Sequence, residues 1–214
     1  VSREPYRVYI FDPKFATNPL FFGLAGGRFD DFTEFYRANK PIPADYFPGP
    51  LIVDEPLQDP PDIFRASSRV IVFSERARAF MERMAPGQVE FIPAKIQVDP
   101  ETALQSNLDS AYYYANVLGR AQRFEWPEMP TRPLPFSEDG IQRFGLVADY
   151  SQWKLRQRTS GDPLIWRESW WWFNNREYRG HLEVLIEDIL WHEIEAEFNN
   201  SLNAILVGAP TRSP

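Results

Sequence analysis

Cysteine is absent from the 214 residues, which excludes disulfides and thiolate chemistry and removes redox as a guide to compartment. Histidine is scarce: only His181 and His192 are available as a neutral-pH base or an imidazole metal ligand. No apolar run approaches the roughly 20 residues of a membrane-spanning helix. The opening stretch VSREPYRVYIFD has no signal-peptide core. A cytoplasmic protein with no membrane partner is therefore expected, although a chain that opens on Val leaves room for an initiator or leader ahead of it. Basic charge is also in deficit, with 23 Lys and Arg against 30 Asp and Glu and a net charge of −7. Such a surface repels a phosphate backbone, so no nucleic-acid partner is expected. It suits a basic protein partner, and it equally serves solubility alone.

What the chain has in abundance is aromatic residues and proline: 17 Phe, 7 Trp and 20 Pro. With 43% hydrophobic and 25% charged residues, this is the composition of a folded protein built from short strands and structured loops. YRVYIF (Tyr6 to Phe11) reads as a strand. Asp30 can cap a short helix bearing Phe32, Phe35 and Tyr36. Seven prolines between Pro41 and Pro61 restrict that stretch to extended loop with at most one edge strand around LIVDEP. The clearest unit is RVIVFSERARAFMERMAPGQVEFIPAKI. A strand at Val70 to Phe73 leads to Ser74 as N-cap, then to a helix with Ala77, Phe80, Met81 and Met84 on one stripe. Pro86-Gly87 stops the helix, and Val89 to Ile96 returns as a strand. Glu75, Arg76, Arg78, Glu82 and Arg83 read as its solvated face rather than an ionic site.

AYYYANVLGRAQRFEW reads as a further strand, and Asp139 to Arg158 as one or two more. The last segment, HLEVLIEDILWHEIEAEFNNSLNAILVG, repeats the clearest unit in pattern: strand, cap, helix, strand. Aligning Ser74 with Asp188 puts Ala77 on Trp191, Phe80 on Ile194 and Met84 on Phe198. Internal duplication and chance likeness of two amphipathic helices both fit. The fold class expected is α+β, with mostly antiparallel twisted sheets, a few short amphipathic helices and two similar strand–helix–strand units. Residues 1–62 are expected as an N-terminal strand and proline-rich segment packed on a main α+β domain of residues 63–214, together forming one compact unit.

Motifs for catalysis are weak throughout. GLAGGRF offers Gly23, Gly26 and Gly27 without the lysine and hydroxyl of a phosphate loop, so it reads as a tight turn. WHEIEAEF sets His192 beside Glu193, Glu195 and Glu197, but Ala196 stands where a zinc-protease helix needs its second histidine. No serine sits in a nucleophile elbow. Paired carboxylates (Asp30-Asp31, Asp54-Glu55, Glu187-Asp188) carry no spatial information by themselves. No catalytic residue, cofactor or metal ligand is expected, and the reading is a binding protein rather than an enzyme.

The stretch ESWWWFNNREY sets three tryptophans side by side. Read as a strand ending at Asn174-Asn175, it follows LIWRES and has HLEVLIE available as a partner. Alternation places Trp170 and Trp172 on one face and Trp171 with Phe173 on the other. One face belongs to the core; the second is either covered by a helix or exposed as a binding anchor. Trp170, Trp171, Trp172 and Arg176 are the candidate partner-binding residues.

VIVFSERARAFMERMAPGQVEFIPAKI followed by AYYYANVL resembles the eleventh numbered family of immunity proteins from bacterial polymorphic toxin systems. The matching residues are Ser74, Glu75 and Arg76, then Glu90 to Pro93, then Tyr112 to Leu118. The likeness covers roughly residues 63 to 207. In the second half it is one of pattern only, with Glu187, Asp188 and Ile189 where the motif has Ser-Glu-Arg. The resemblance implies an α+β protein that binds and neutralises a cognate toxin effector in the producing cell, and it carries over no catalytic residue. Two other readings stay open from composition: a hydrolase with a carboxylate site assembled from distant residues, and a carbohydrate-binding module stacking Trp170 to Trp172 on sugar rings.

Overall fold

The computed structural model describes residues 7–13, 21–23, 43, 46, 50–53, 61–66, 70–106, 111–125, 129, 131–133, 144–146, 149–173, 176–179, 183–198 and 203–208. Within them the chain is α+β, with mostly antiparallel sheets. One sheet contains β1 (Val8–Phe11), β9 (Arg120–Ala121), β12 (Ile165–Glu168), β15 (Leu185–Glu187) and β16 (Ala204–Val207), in the order β16-β1-β15-β12-β9. A second contains β4 (Ile63–Arg65), β5 (Ile71–Ser74), β6 (Val89–Ala94) and β8 (Tyr112–Val117), in the order β4-β5-β8-β6. A smaller sheet holds β2 (Phe21–Gly23), β3 (Leu51–Val53) and β7 (Ile96–Val98), with β3 in the middle. Two hairpins complete the strands: β10 (Thr131–Pro133) with β11 (Phe144–Leu146), and β13 (Trp170–Phe173) with β14 (Arg176–Arg179). The helices are α1 (Glu75–Met84), α2 (Pro100–Leu104) and α3 (Asp188–Phe198).

Sequence chemistry explains the first strand–helix–strand unit. Strand β5 is buried along its length, and period-two alternation divides its side chains between two cores. Ile71 and Phe73 join the core that holds the helices, while Val72 joins the core on the opposite face. The Ser74 hydroxyl accepts the Ala77 N–H at 3.2 Å, capping α1, and donates to the Asp62 carboxylate. Ala77, Phe80 and Met81 are buried; Met84 packs on the margin of the same core. Gly87 ends the turn with φ of +70°, a left-handed conformation that a side chain disfavours.

One central core takes residues from both large sheets and from α1 and α3. Phe73, Ala115 and Val117 of one sheet meet Phe11, Ile165 and Ile186 of the other, with Phe80, Met81, Trp191, Ile194 and Phe198 from the helices. The outer face of each sheet has its own cover. Leu51 and Val53 pack on Val72, Tyr112 and Tyr114. Phe124, Met129 and Trp153 pack on Val8, Ile10, Trp166 and Leu185. Gly119 lies at the seam between the sheets, where an added Cβ would come within 2.0 Å of the Ile165 carbonyl oxygen.

Several sequence expectations need correction. LIV (residues 51–53) is the middle strand of its sheet rather than an edge, because no proline interrupts those three residues themselves. Val89 to Ile96 is not one strand: β6 ends at Ala94, and Ile96 begins a strand of a different sheet. The tryptophan strand does not pair with HLEVLIE. It pairs with Arg176–Arg179 just after it, while Leu185–Glu187 is taken by β1 and β12. The two helices also align one residue away from the expected match. Asp188 is the first residue of α3, as Glu75 is of α1, and not its cap, so Ser74 corresponds to Glu187 rather than to Asp188. The expected helix after Asp30 lies outside the described residues.

Candidate functional site

Among the described residues, one ionic grouping is fully buried. Arg123 lies between β9 and Phe124, Glu168 closes β12, and Glu187 closes β15; their exposures are 0%, 0% and 1%. The Arg123 guanidinium contacts the Glu187 carboxylate directly, and its Nη2 donates to the Arg156 carbonyl at 3.0 Å. Its central carbon sits 4.6 Å from the Trp166 ring centroid, a cation–π placement. Glu168 accepts the Arg123 and Phe124 backbone N–H groups at 2.8 and 3.1 Å on one oxygen, and the Trp166 indole N–H at 2.9 Å on the other. Arg156 extends the network to Asp162 through paired contacts of 2.6 and 2.8 Å.

Burial pushes the Glu168 carboxyl up to about 7, against the pull of its N–H donors and of Arg123. Burial and then the neighbouring Asp188 push Glu187 upward as well, while contact with the guanidinium favours its ionised form. Burial lowers Arg123 to about 10, which leaves it charged at neutral pH. A carboxyl poised near 7 would suit acid–base chemistry. Here both Glu168 oxygens are occupied by protein donors and the group has no exposed surface. The arrangement is a structural pin that joins three chain segments.

A second polar group gathers at the ends of β1, β4 and β12. Arg65 Nη1 lies 2.6 Å from Asp12 Oδ1, with side-chain exposures of 24% and 29%. Glu183 accepts from the Tyr150 hydroxyl at 3.3 Å and is within electrostatic reach of Arg167, Asp12 and Arg65. Burial raises both the Glu183 carboxyl and the Tyr150 hydroxyl, the latter to about 12. Two arginines therefore face two carboxylates at a partly accessible seam.

The outward helix faces differ. On α1, Arg78 bridges Glu75 at 2.5 Å and Glu82 at 2.7 Å, and Arg76 reaches Asp62 at 2.6 Å. On α3, Glu193, Glu195 and Glu197 are exposed, and Ile189 beside them is 64% exposed. His192 lies between Asp188 (3.1 Å) and Glu195 (3.4 Å). Among the described residues, no group of three or more His, Cys, Asp and Glu is arranged to hold a metal ion. His181 lies outside the described residues.

Of the candidate partner-binding residues, Trp170 is half-buried, with its backbone N–H 3.3 Å from Gln122 Oε1. Trp171 stands opposite Tyr178 in the β13–β14 ladder, Trp172 opposite Glu177, and Arg176 opposite Phe173. The side chains of Trp171, Trp172 and Arg176 lie outside the described residues. The structure thus brings all four into one hairpin that belongs to neither large sheet. The buried Arg123–Glu168–Glu187 grouping and the Arg65–Asp12 seam were missed from sequence. A repeated Ile-aromatic-Arg triplet, at Ile63-Phe64-Arg65 and Ile165-Trp166-Arg167, marks the arginines of the seam, and no local signal marks Arg123, Glu168 or Glu187.

No protein-family model matches the chain, and no curated protein matches it. The likeness to the immunity family accordingly rests on the quoted motif residues. Among the described residues, no helix is long and apolar enough to cross a membrane.

Proposed function

We propose that this chain is an immunity protein, which binds a cognate bacterial toxin effector in the cytoplasm of the producing cell and neutralises it without turnover of its own. The observation that carries the reading is how the separated motif segments meet. Glu90 of the Glu-Phe-hydrophobic-Pro segment is the cross-strand partner of Asn116 in the Tyr-rich segment, and the Asn116 side chain donates to its carboxylate at 3.1 Å. Ser74 and Arg76 of the third segment both hold Asp62. The Tyr-rich segment pairs with both of the others, through Tyr112 with Ser74 and Asn116 with Glu90, which supports reading the three segments together.

Charge supports a protein partner of basic character. The chain carries −7, and exposed glutamates on α3 add to an acidic surface that would speed encounter with a cationic protein. The test is co-expression with the product of the adjacent gene. Growth should be arrested by that product alone and restored when this chain is present. A harmless neighbour, or one that remains fully toxic beside this chain, would refute the proposal.

A further inference from the structure

We infer that the fold is two copies of one five-element unit, and that the second copy is completed by a strand that precedes both copies in the sequence. The first copy is β4, β5, α1, β6 and β8; the second is β12, β15, α3, β16 and β1. In each, two strands joined by a helix flank a central strand antiparallel to both. Tyr112 faces Ser74 on one side and Ala94 on the other. Val8 likewise faces Glu187 and Val207. Ser74 to Glu187 and Ala94 to Val207 are the same offset, 113 positions, so the inner strand, the helix and the returning strand correspond at one constant offset.

Several side-chain positions follow the same offset, although buried Phe80 falls on exposed Glu193. Fully buried Ala77, Met81 and Ala85 correspond to buried Leu190, Ile194 and Phe198. Arg78 lies over Tyr113 in the first copy, and Trp191 packs on Tyr9 in the second. The backbone N–H that opens each helix bonds the residue before the central strand: Glu75 to the Ala111 carbonyl, Asp188 to the Arg7 carbonyl. The outer strand matches too, since Ile63 pairs with Phe73 and Phe64 with Val72 as Ile165 pairs with Ile186 and Trp166 with Leu185. This superimposes the two Ile-aromatic-Arg triplets, Arg65 on Arg167. A single amphipathic resemblance arises by chance; register, burial and an outer-strand triplet in agreement point to duplication.

Two departures complete the description. The central strand follows its copy in the first case (β8) and precedes everything in the second (β1), which is the order of a circular permutation. The link from outer strand to inner strand is also longer in the second copy. Residues 66–70 span it in the first, and 169–184 in the second, where the tryptophan hairpin occupies the extra length. The hairpin is therefore an insertion that the unit does not need in order to close.

The experiment moves the strand and removes the insertion. One variant lacks residues 1–13; a second lacks them at the start and carries them after Pro214. Residues 208–214 and then 1–7 would join β16 to β1, a link of similar length to residues 95–111 in the first copy. A third variant deletes residues 170–180. Thermal unfolding by circular dichroism should be lost or strongly lowered in the truncated chain and cooperative again in the relocated one. It should stay cooperative in the deletion. A truncated chain that melts like the parent, or a relocated chain no better folded than the truncated one, would overturn the permuted duplication. A deletion variant without cooperative unfolding would overturn the reading of the hairpin as an insertion.

Discussion

The two strand–helix–strand units share a backbone plan and differ in the chemistry that holds it. In the first, the position that closes the inner strand is Ser74, a neutral hydroxyl that is buried as a helix cap and also bonds Asp62, and the ion pairs of α1 lie on the surface. In the second, the same position is Glu187, buried against Arg123, and Glu168 stands where the first unit has Ala66. Surface pairs and a hydroxyl cap each contribute little and tolerate loss. A buried guanidinium paired with a buried carboxylate has been taken out of water, so the pair is costly to break even where its net contribution is small. Equivalent places in one protein thus carry opposite mutational risks.

The largest effect should come from breaking that contrast at Arg123. Arg123→Ala leaves Glu187 and Glu168 buried without their cation and should cost about 3–5 kcal/mol by urea denaturation. A cost near that of a surface change would mean the second unit is not held by its buried ions. Next in size is the helix position where the units diverge most. Phe80 is buried edge-on to Phe198 at 5.2 Å, whereas its counterpart Glu193 is exposed. Phe80→Ala should lose about 3 kcal/mol, and Glu193→Ala less than about 0.5 kcal/mol. Equal losses would break the assigned register.

The pH response should sharpen the comparison further. Glu168 has its native pKa raised from 4.5 to about 7, so between those values the folded protein holds a proton that the unfolded chain has released. Its stabilising contribution is complete below about pH 4.5 and is lost as pH rises through about 7. Stability should therefore decline between about pH 4.5 and about pH 7, and Glu168→Gln should make that decline shallower. An unchanged slope would remove Glu168 as its source. A modest effect, well below that of Phe80→Ala, is expected at the first unit's cap: Ser74→Ala should cost about 1 kcal/mol, with no change in the pH slope.

Local signals in the sequence were strong where the chain's own periodicity decides the structure. Ser74, the apolar stripe of α1 and Pro86-Gly87 mark the first unit residue by residue. The second unit was legible in kind but not in register. Apolar residues recur every three or four positions on a helix, so Ala77 matches Trp191 or Leu190 almost equally well. The β-ladder, through Val8 facing Glu187, decides between them, and pairing partners far apart in sequence leave no local trace. The same holds for the buried ions, with Arg123 separated from Glu168 by 45 positions and from Glu187 by 64. The tryptophan strand was read correctly as a strand and given the wrong partner, because the nearer Arg176–Arg179 segment is polar and lacks the apolar alternation of a buried strand.

The functional reading has its most direct test in a titration. Purified chain is added stepwise to the purified toxin domain encoded beside it while the toxin's turnover is followed. The account predicts a linear fall in activity to a sharp end point at one chain per toxin, with no activity of the chain alone. Full toxin activity in the presence of excess chain would contradict it.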